Sequence, residues 1–221
     1  MAKNDDDAAG RPRGGAPAQE RELRAQGKKT MRKLLDAGKS VFADRGFHAA
    51  RVDDIVKVAK TSHGTFYLYF SNKEDLLRAL IDAASEEMLA LAETLPDVEK
   101  GSHGHDALRE WLDRFTDLYE QHGAVVRTWI EAETRSNDFA LVGAEVLGGF
   151  SAALAKRIEA ADTSGALDPG IAAVAFVAMI ERFFYIRAAM GRMLPFDRDA
   201  TLDTLTTIIH AGVFGGQRRK R

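Results

Sequence analysis

Lys60-Thr61-Ser62-His63-Gly64-Thr65-Phe66-Tyr67-Leu68-Tyr69-Phe70-Ser71-Asn72-Lys73 is the stretch whose reading decides the fold. Thr61 and Ser62 are both suited to start a helix, because a hydroxyl there can accept a hydrogen bond from an amide two or three residues on. Ser71, followed three residues later by Glu74, reads as a capping box. That box ends the first helix near Phe70 and opens a longer one. The helix over 63–70 is then about two turns long. At about 100° per residue, Phe66 and Phe70 share one face, Gly64, Tyr67 and Leu68 share the other, and Thr65 lies on the flank. One side is built to pack, and the other is left to meet something outside the chain.

Upstream, Leu34, Leu35, Gly38, Val41 and Phe42 give a helix over 28–45 its inner face, with Gly46 as its stop. Val52, Ile55, Val56 and Ala59 do the same for a short second helix. With Phe66 and Phe70 they close a three-helix core over 28–72. Residues 1–27 mix Gly, Pro, Ala, Asp and Arg without apolar periodicity and read as a disordered arm, whose arginines either solubilise the chain or enter a minor groove.

Downstream, residues 73–95 read as one long helix connecting this core to a second domain over 73–216. Leu108, Trp111, Leu112, Phe115, Leu118 and Tyr119 predict an amphipathic helix ending at Gly123, and Val125, Val126, Trp129 and Ile130 a shorter one after it. Val142, Val146, Phe150, Leu154 and Ile158 form a ladder interrupted by Gly143, Gly148 and Gly149. Asp168-Pro169 opens a helix that is apolar almost all round, and a last helix runs from about Asp199 to Val213, before a basic tail at 217–221. The expectation is an all-α chain of about nine helices.

Composition narrows the function. Residues 1–73 hold 15 Lys/Arg against 9 Asp/Glu, whereas 74–221 hold 16 against 24, so a basic head precedes an acidic body. That layout suits a protein that presents one end to nucleic acid. There is no cysteine, so no disulfide framework is expected. The longest apolar run, Ile171 to Ile180, stops at Glu181-Arg182, short of a membrane span, and the N-terminus has no apolar signal core. A cytoplasmic protein without membrane association is expected. His103, His105 and Asp106 lack further ligands at useful spacing, and no phosphate-cradling loop or nucleophile elbow is present. Neither an enzyme, a metal site nor a cofactor is expected.

The residues from Thr30 to Leu80, with Phe42, Gly46-Phe47, Asp54-Ile55-Val56, Ala59, Gly64-Thr65-Phe66-Tyr67, Phe70 and Lys73-Glu74-Asp75-Leu76-Leu77, resemble the N-terminal helix-turn-helix domain of TetR-family transcriptional regulators. Arg51 departs from the family's usual Thr or Ser cap, and Lys60-Thr61 from its Gly-apolar pair. The resemblance implies a DNA-binding domain followed by a helical ligand-binding and dimerisation domain, in a homodimer on an inverted-repeat operator. It implies that His63, Thr65, Tyr67 and Leu68 face the major groove of double-stranded DNA. Gly64 would let the backbone approach, and Thr61, Ser62, Tyr69 and Lys73 would hold phosphates. The expected function is a repressor released by a small hydrophobic effector, with the last two helices of each chain joined in an intersubunit bundle. Trp111, Phe115, Trp129, Phe150, Met179 and Phe183 are the candidates to line the effector cavity, although an aromatic stripe serves equally as core. A ligand-independent architectural DNA binder on the same fold is the alternative.

Overall fold

A computed structural model describes residues 17–98, 101–133, 137–161, 167–190 and 196–214, and among these there are helices and no strand. The helices are α1 (Pro17–Ala49), α2 (Val52–Ala59), α3 (His63–Tyr67), α4 (Lys73–Glu93), α5 (Ser102–Glu133), α6 (Asn137–Ala161), α7 (Pro169–Met190) and α8 (Arg198–Ile209), with a π-helical turn at His210–Phe214.

Among the described residues eight α-helices replace the nine expected, because the helix expected to end at Gly123 and its shorter successor are one. A glycine inside a helix costs about 1 kcal/mol but does not stop it. Here Gly123 is buried, and α5 is held along its length by α1, α4, α6 and α8. Of the arm expected over 1–27, the described part, from Pro17 on, is corrected, since it is the start of α1. Proline suits a first helical position, and Ala18 to Gln26 are mostly strong helix formers, which outweighs the missing apolar period. Residues 1–16 and the basic tail lie outside the described residues. His103 and His105 are in the first turn of α5 rather than in a loop.

The three-helix core forms as the sequence predicts. Leu34, Val41, Phe42, Ile55, Val56, Phe66 and Phe70 are buried together, with Leu76, Leu77 and Ile81 of α4 beneath them. Each large side chain so buried contributes roughly 1.5–3 kcal/mol. Gly38 is required by this packing, because a methyl there would run into the Leu76 side chain. The helix cap is one residue later than expected: Asn72, not Ser71, accepts from the Asp75 amide at 2.7 Å, while Asp75 accepts from the Ser71 amide at 2.9 Å.

α1 bends sharply at Gly46, whose φ of 73° is left-handed, and the bend is where the body grips the first domain. Glu131 of α5 accepts from the Phe47 amide at 3.0 Å and the His48 amide at 3.5 Å. A side chain at Gly46 would press on that carboxylate at 3.1 Å. The Phe47 ring meets Phe139 of α6 edge-on at 6.0 Å, and Trp129 donates to the Phe139 carbonyl at 3.0 Å. Lys39 of α1 donates to the Gln121 carbonyl.

A second core joins α5, α6, α7 and α8 through Trp111, Phe115, Phe150, Leu154, Phe176, Ile180, Phe184, Leu202 and Ile209. Asp168 caps α7 as expected, accepting from the Ile171 amide at 2.9 Å. Arg109 reaches Asp199 and Asp203 at 2.9 and 2.6 Å, and Arg198 reaches Asp113 and Asp117 at 2.6 Å each, so charged pairs staple α5 to α8. Within α6 and α7, Asp138–Ala161 and Pro169–Arg187 are long and apolar enough to cross a membrane by length and composition. The run from Ile171 to Ile180 was too short to show this, because it ends at the first charged pair. The inner faces of the two helices supply the second core, and α7 leaves a stripe of apolar side chains uncovered.

Glu131→Gln should lower stability by about 1–2 kcal/mol, because a charged acceptor for two amides becomes a weaker neutral one. Urea unfolding measures this, and an unchanged midpoint would mean that the carboxylate does not hold the junction.

Candidate functional site

The left-handed turn between α2 and α3 sets the aim of the second short helix. Lys60 takes φ 52° and ψ 51°, and is the one non-glycine residue with positive φ among the described residues. Its amide closes on Lys57, and the Thr61 amide on Val56 at 3.0 Å, which ends α2 abruptly. A side chain in this conformation costs about 1–2 kcal/mol, so the core must hold the turn in place. At the other end of α2, Asp54 accepts from the Arg51 amide at 3.3 Å, so the arginine in the cap position is served by a carboxylate three residues on.

Ser62, rather than Thr61, caps α3, accepting from the Thr65 amide at 3.1 Å. The helix spans 63–67, shorter than the expected 63–70, with Leu68 as its cap and Phe70 beyond its end. The two faces nevertheless divide as predicted. Phe66 and Phe70 are buried, whereas Tyr67 and Leu68 are 58% and 82% exposed. A methyl added at Gly64 would approach only Ser62 Oγ, at 3.8 Å, so no packing demands glycine there and the bare backbone faces outward. His63 is exposed but held, its Nε2 lying 2.6 Å from an Asp53 oxygen. Thr61 and Thr65 are half-buried, and the Tyr69 hydroxyl leans on α1 beside Gly27. The surface therefore brings together His63, Gly64, Thr65, Tyr67 and Leu68, framed by Thr61, Ser62 and Tyr69. Asp53 was not legible in advance, because the pairing joins two helices across a turn.

Lys73 has an internal task. Its ammonium donates to the carbonyls of Phe47, His48 and Ala50 at 2.8, 3.3 and 3.1 Å and sits 4.7 Å from the centre of the Phe47 ring. Its donors are directed at the end of α1 instead of outward.

The six expected effector residues do not enclose one space. Trp111, Phe115 and Phe150 are buried in the second core, with Phe183 packed at its edge. Trp129 belongs to the core of the first domain, and Met179 is 37% exposed on the outer side of α7. Helical spacing identifies their faces but not which neighbour each face meets. An open groove of about 580 Å³ lies elsewhere, between α4 and α6, lined by Arg78, Asp82, Leu89, Val142 and Glu145 among others.

Three buried polar atoms among the described residues lack a hydrogen-bond partner: Tyr119 Oη, whose ring belongs to the aromatic cluster, Ser151 Oγ of α6 and Arg187 Nη1 of α7. Burial pushes the Tyr119 phenol well above its usual range, and Glu181 adds to the shift. Burial also raises the Glu181 carboxyl, against the pull of Arg182, and raises Glu133, to which Glu181 contributes. Among the described residues no group of three or more His, Cys, Asp or Glu could hold a metal ion.

Two substitutions separate reading from support. Tyr67→Ala should cost about 1–3 kcal/mol in binding a specific DNA site and leave the thermal midpoint nearly unchanged. Lys73→Ala should instead lower the thermal midpoint, since three carbonyls at the end of α1 lose their donor. Thermal unfolding and a DNA titration on each variant measure both, and an unaltered midpoint for Lys73→Ala would return that side chain to the phosphates.

The family model described as Bacterial regulatory proteins, tetR family, matches residues 34–80, and the one described as Transcriptional regulator EthR, C-terminal domain, matches residues 108–215. The chain is 27% identical over 206 residues to the HTH-type transcriptional regulator EthR of Mycobacterium tuberculosis, covering 91% of this chain and 95% of that protein. It is 37% identical over 98 residues to the uncharacterized HTH-type transcriptional regulator YvdT of Bacillus subtilis, which is 42% of this chain and about half, 47%, of that relative. Its fold is similar to that of the solved SmeT-triclosan complex, with a TM-score of 0.68, 17% identity, and coverage of 87% of this chain and 98% of that one. These relatives are regulators and not enzymes. With one match over the reading helices and another over the body behind them, the chain belongs to the TetR family of transcriptional regulators.

Proposed function

We propose that the protein is a cytoplasmic homodimeric repressor that reads an inverted-repeat operator with α3 of each chain and is released by a small, mainly apolar effector. The observation that carries the reading is the division of α3, with Phe66 and Phe70 buried and Tyr67 and Leu68 exposed beside an unobstructed Gly64. Tyr67 and His63 can hydrogen-bond to base edges, and Leu68 can meet a thymine methyl. Thr65 lies on the same face, and Thr61, Ser62 and Tyr69 frame it and fix register on phosphates.

The case for the dimer rests on α7 and α8. Ile171, Val174, Met179, Ile186 and Met190 of α7, and Ile208 of α8, leave apolar surface in water. A monomer rarely keeps so much apolar surface together. Covering it with the same helices of a second chain makes a two-fold bundle, and a two-fold protein calls for two-fold DNA half-sites.

Release follows from one geometric limit. Only one separation of the two α3 helices fits the DNA, so an effector that prefers another arrangement of the body shifts the population away from binding. By linkage, DNA then weakens the effector equally. SmeT, which shares the fold, forms a complex with triclosan, and this supports a small apolar molecule as the class of ligand. The packed rings of Trp111, Phe115 and Phe150 favour a second reading, a ligand-independent architectural binder whose body only dimerises.

Sedimentation of the purified chain should give a dimer, and selection from random DNA should return an approximate inverted repeat. A monomer at micromolar concentration would sink the release mechanism. Selected sites without symmetry would favour the architectural reading.

A further inference from the structure

Asp53 is an exposed carboxylate in the first turn of α2, beside the outer face of α3, where an anion repels phosphates. Its neighbour Asp54 is engaged elsewhere, by the Arg51 amide and by Arg45 at 3.4 Å. Asp53 turns instead to His63, the first residue of α3, and meets its Nε2 at 2.6 Å. A carboxylate accepts and cannot donate, so the proton of this bond belongs to Nε2. In the neutral ring the other nitrogen, Nδ1, then carries a lone pair and no proton. Nδ1 has no hydrogen-bond partner among the described residues, and more than half of the His63 side chain is open to solvent.

We propose that Asp53 is a positioning residue that sets specificity: by holding His63 with its proton on Nε2 it makes Nδ1 an acceptor, which selects adenine or cytosine over guanine or thymine at the step His63 reads. The inference rests on the reading of α3 as the helix in the major groove. In that groove adenine offers its N6 amino group and cytosine its N4 amino group, whereas guanine offers N7 and O6 and thymine O4, all of them acceptors. A bare Nδ1 pairs with either amino group. At the other two bases it faces a second lone pair, so the discrimination is as much rejection as attraction. Without Asp53 the ring is free to carry a proton on Nδ1, and that form donates to guanine or thymine. The aspartate therefore lowers affinity for DNA in general and raises discrimination at one step, which accounts for an anion on this face.

The test uses the full chain, selecting half-sites from random DNA and recording nitrogen NMR spectra of the histidine rings at mildly alkaline pH. The step read by His63 is the one whose preference His63→Ala abolishes. There the unaltered chain should favour adenine or cytosine on one strand over guanine or thymine by about tenfold. Asp53→Ala should bring that ratio close to parity and raise affinity for random DNA, with the thermal midpoint unchanged, whereas a merely structural role would weaken every site together. Asp53→Asn, whose amide oxygen can accept the same proton, should keep the preference. The spectra should show the His63 proton on Nε2 in the unaltered chain and in Asp53→Asn, and a mixture in Asp53→Ala. Guanine or thymine selected at that step, or an unchanged preference in Asp53→Ala, would overturn the proposal. So would loss of the preference in Asp53→Asn with the proton still on Nε2, which would make the aspartate itself the reader of cytosine. A His63 proton on Nδ1 while the chain still selects a half-site through Tyr67 would sink the proposal alone. Selected sites indifferent to His63→Ala, with the proton on Nε2, would instead remove His63 from the groove and take the proposal with it.

Discussion

The bend at Gly46 is the constraint on which the arrangement of the two halves depends. Bending a helix frees amides and carbonyls that its regular ladder would have paired. Here the freed amides of Phe47 and His48 are taken by Glu131 from α5, and the carbonyls of Phe47, His48 and Ala50 by Lys73 from α4. A carboxylate from one helix and an ammonium from another thus satisfy opposite ends of the same short segment. The Phe47 ring, set between Lys73 and Phe139, fills the space between them. The end of α1 cannot turn relative to the body without exchanging these partners.

This explains which parts of the structure were legible in the sequence. Phe66 with Phe70, and Asp168 with Pro169, are local relations fixed by helical geometry, and they stand as expected. Lys73 is different. Its place at the start of α4 was visible, but its acceptors lie 23 to 26 residues back, beyond the range of any helical period. Glu131 and Phe47 are 84 residues apart. Periodicity likewise assigned Trp129 and Met179 to apolar faces without saying that one would pack with the first domain and the other stand at the surface. Gly123 misled for a related reason, since a residue that is locally a weak helix former is carried through by neighbours that periodicity does not show.

The charge asymmetry of the sequence also takes a physical form. The second core is stapled at the α5–α8 contact by Arg109 and Arg198 with four aspartates, so part of the acidic excess of the body is neutralised internally. On the outer face of α3 the exposed groups are a hydroxyphenyl ring, a leucine and an imidazole already held by Asp53, with Thr65 half-buried beside them. In the proposed reading, charge brings that end of the chain toward a polyanion, while shape and hydrogen bonding do the selecting.

The unbroken passage of α5 through Gly123 has a further consequence. At 32 residues the helix is a rod of about 48 Å, with the charged staples to α8 near one end and the grip on Gly46 at the other. A rod of this kind carries torsion as well as displacement. Removing one residue from its middle would shorten it by only about 1.5 Å, yet would turn one end by about 100° relative to the other. Arg109 and Glu131 would then face different neighbours, although every local contact on either side of the deletion survived. The two ends of the body are held in phase, and the length of α5 is fixed to the single residue.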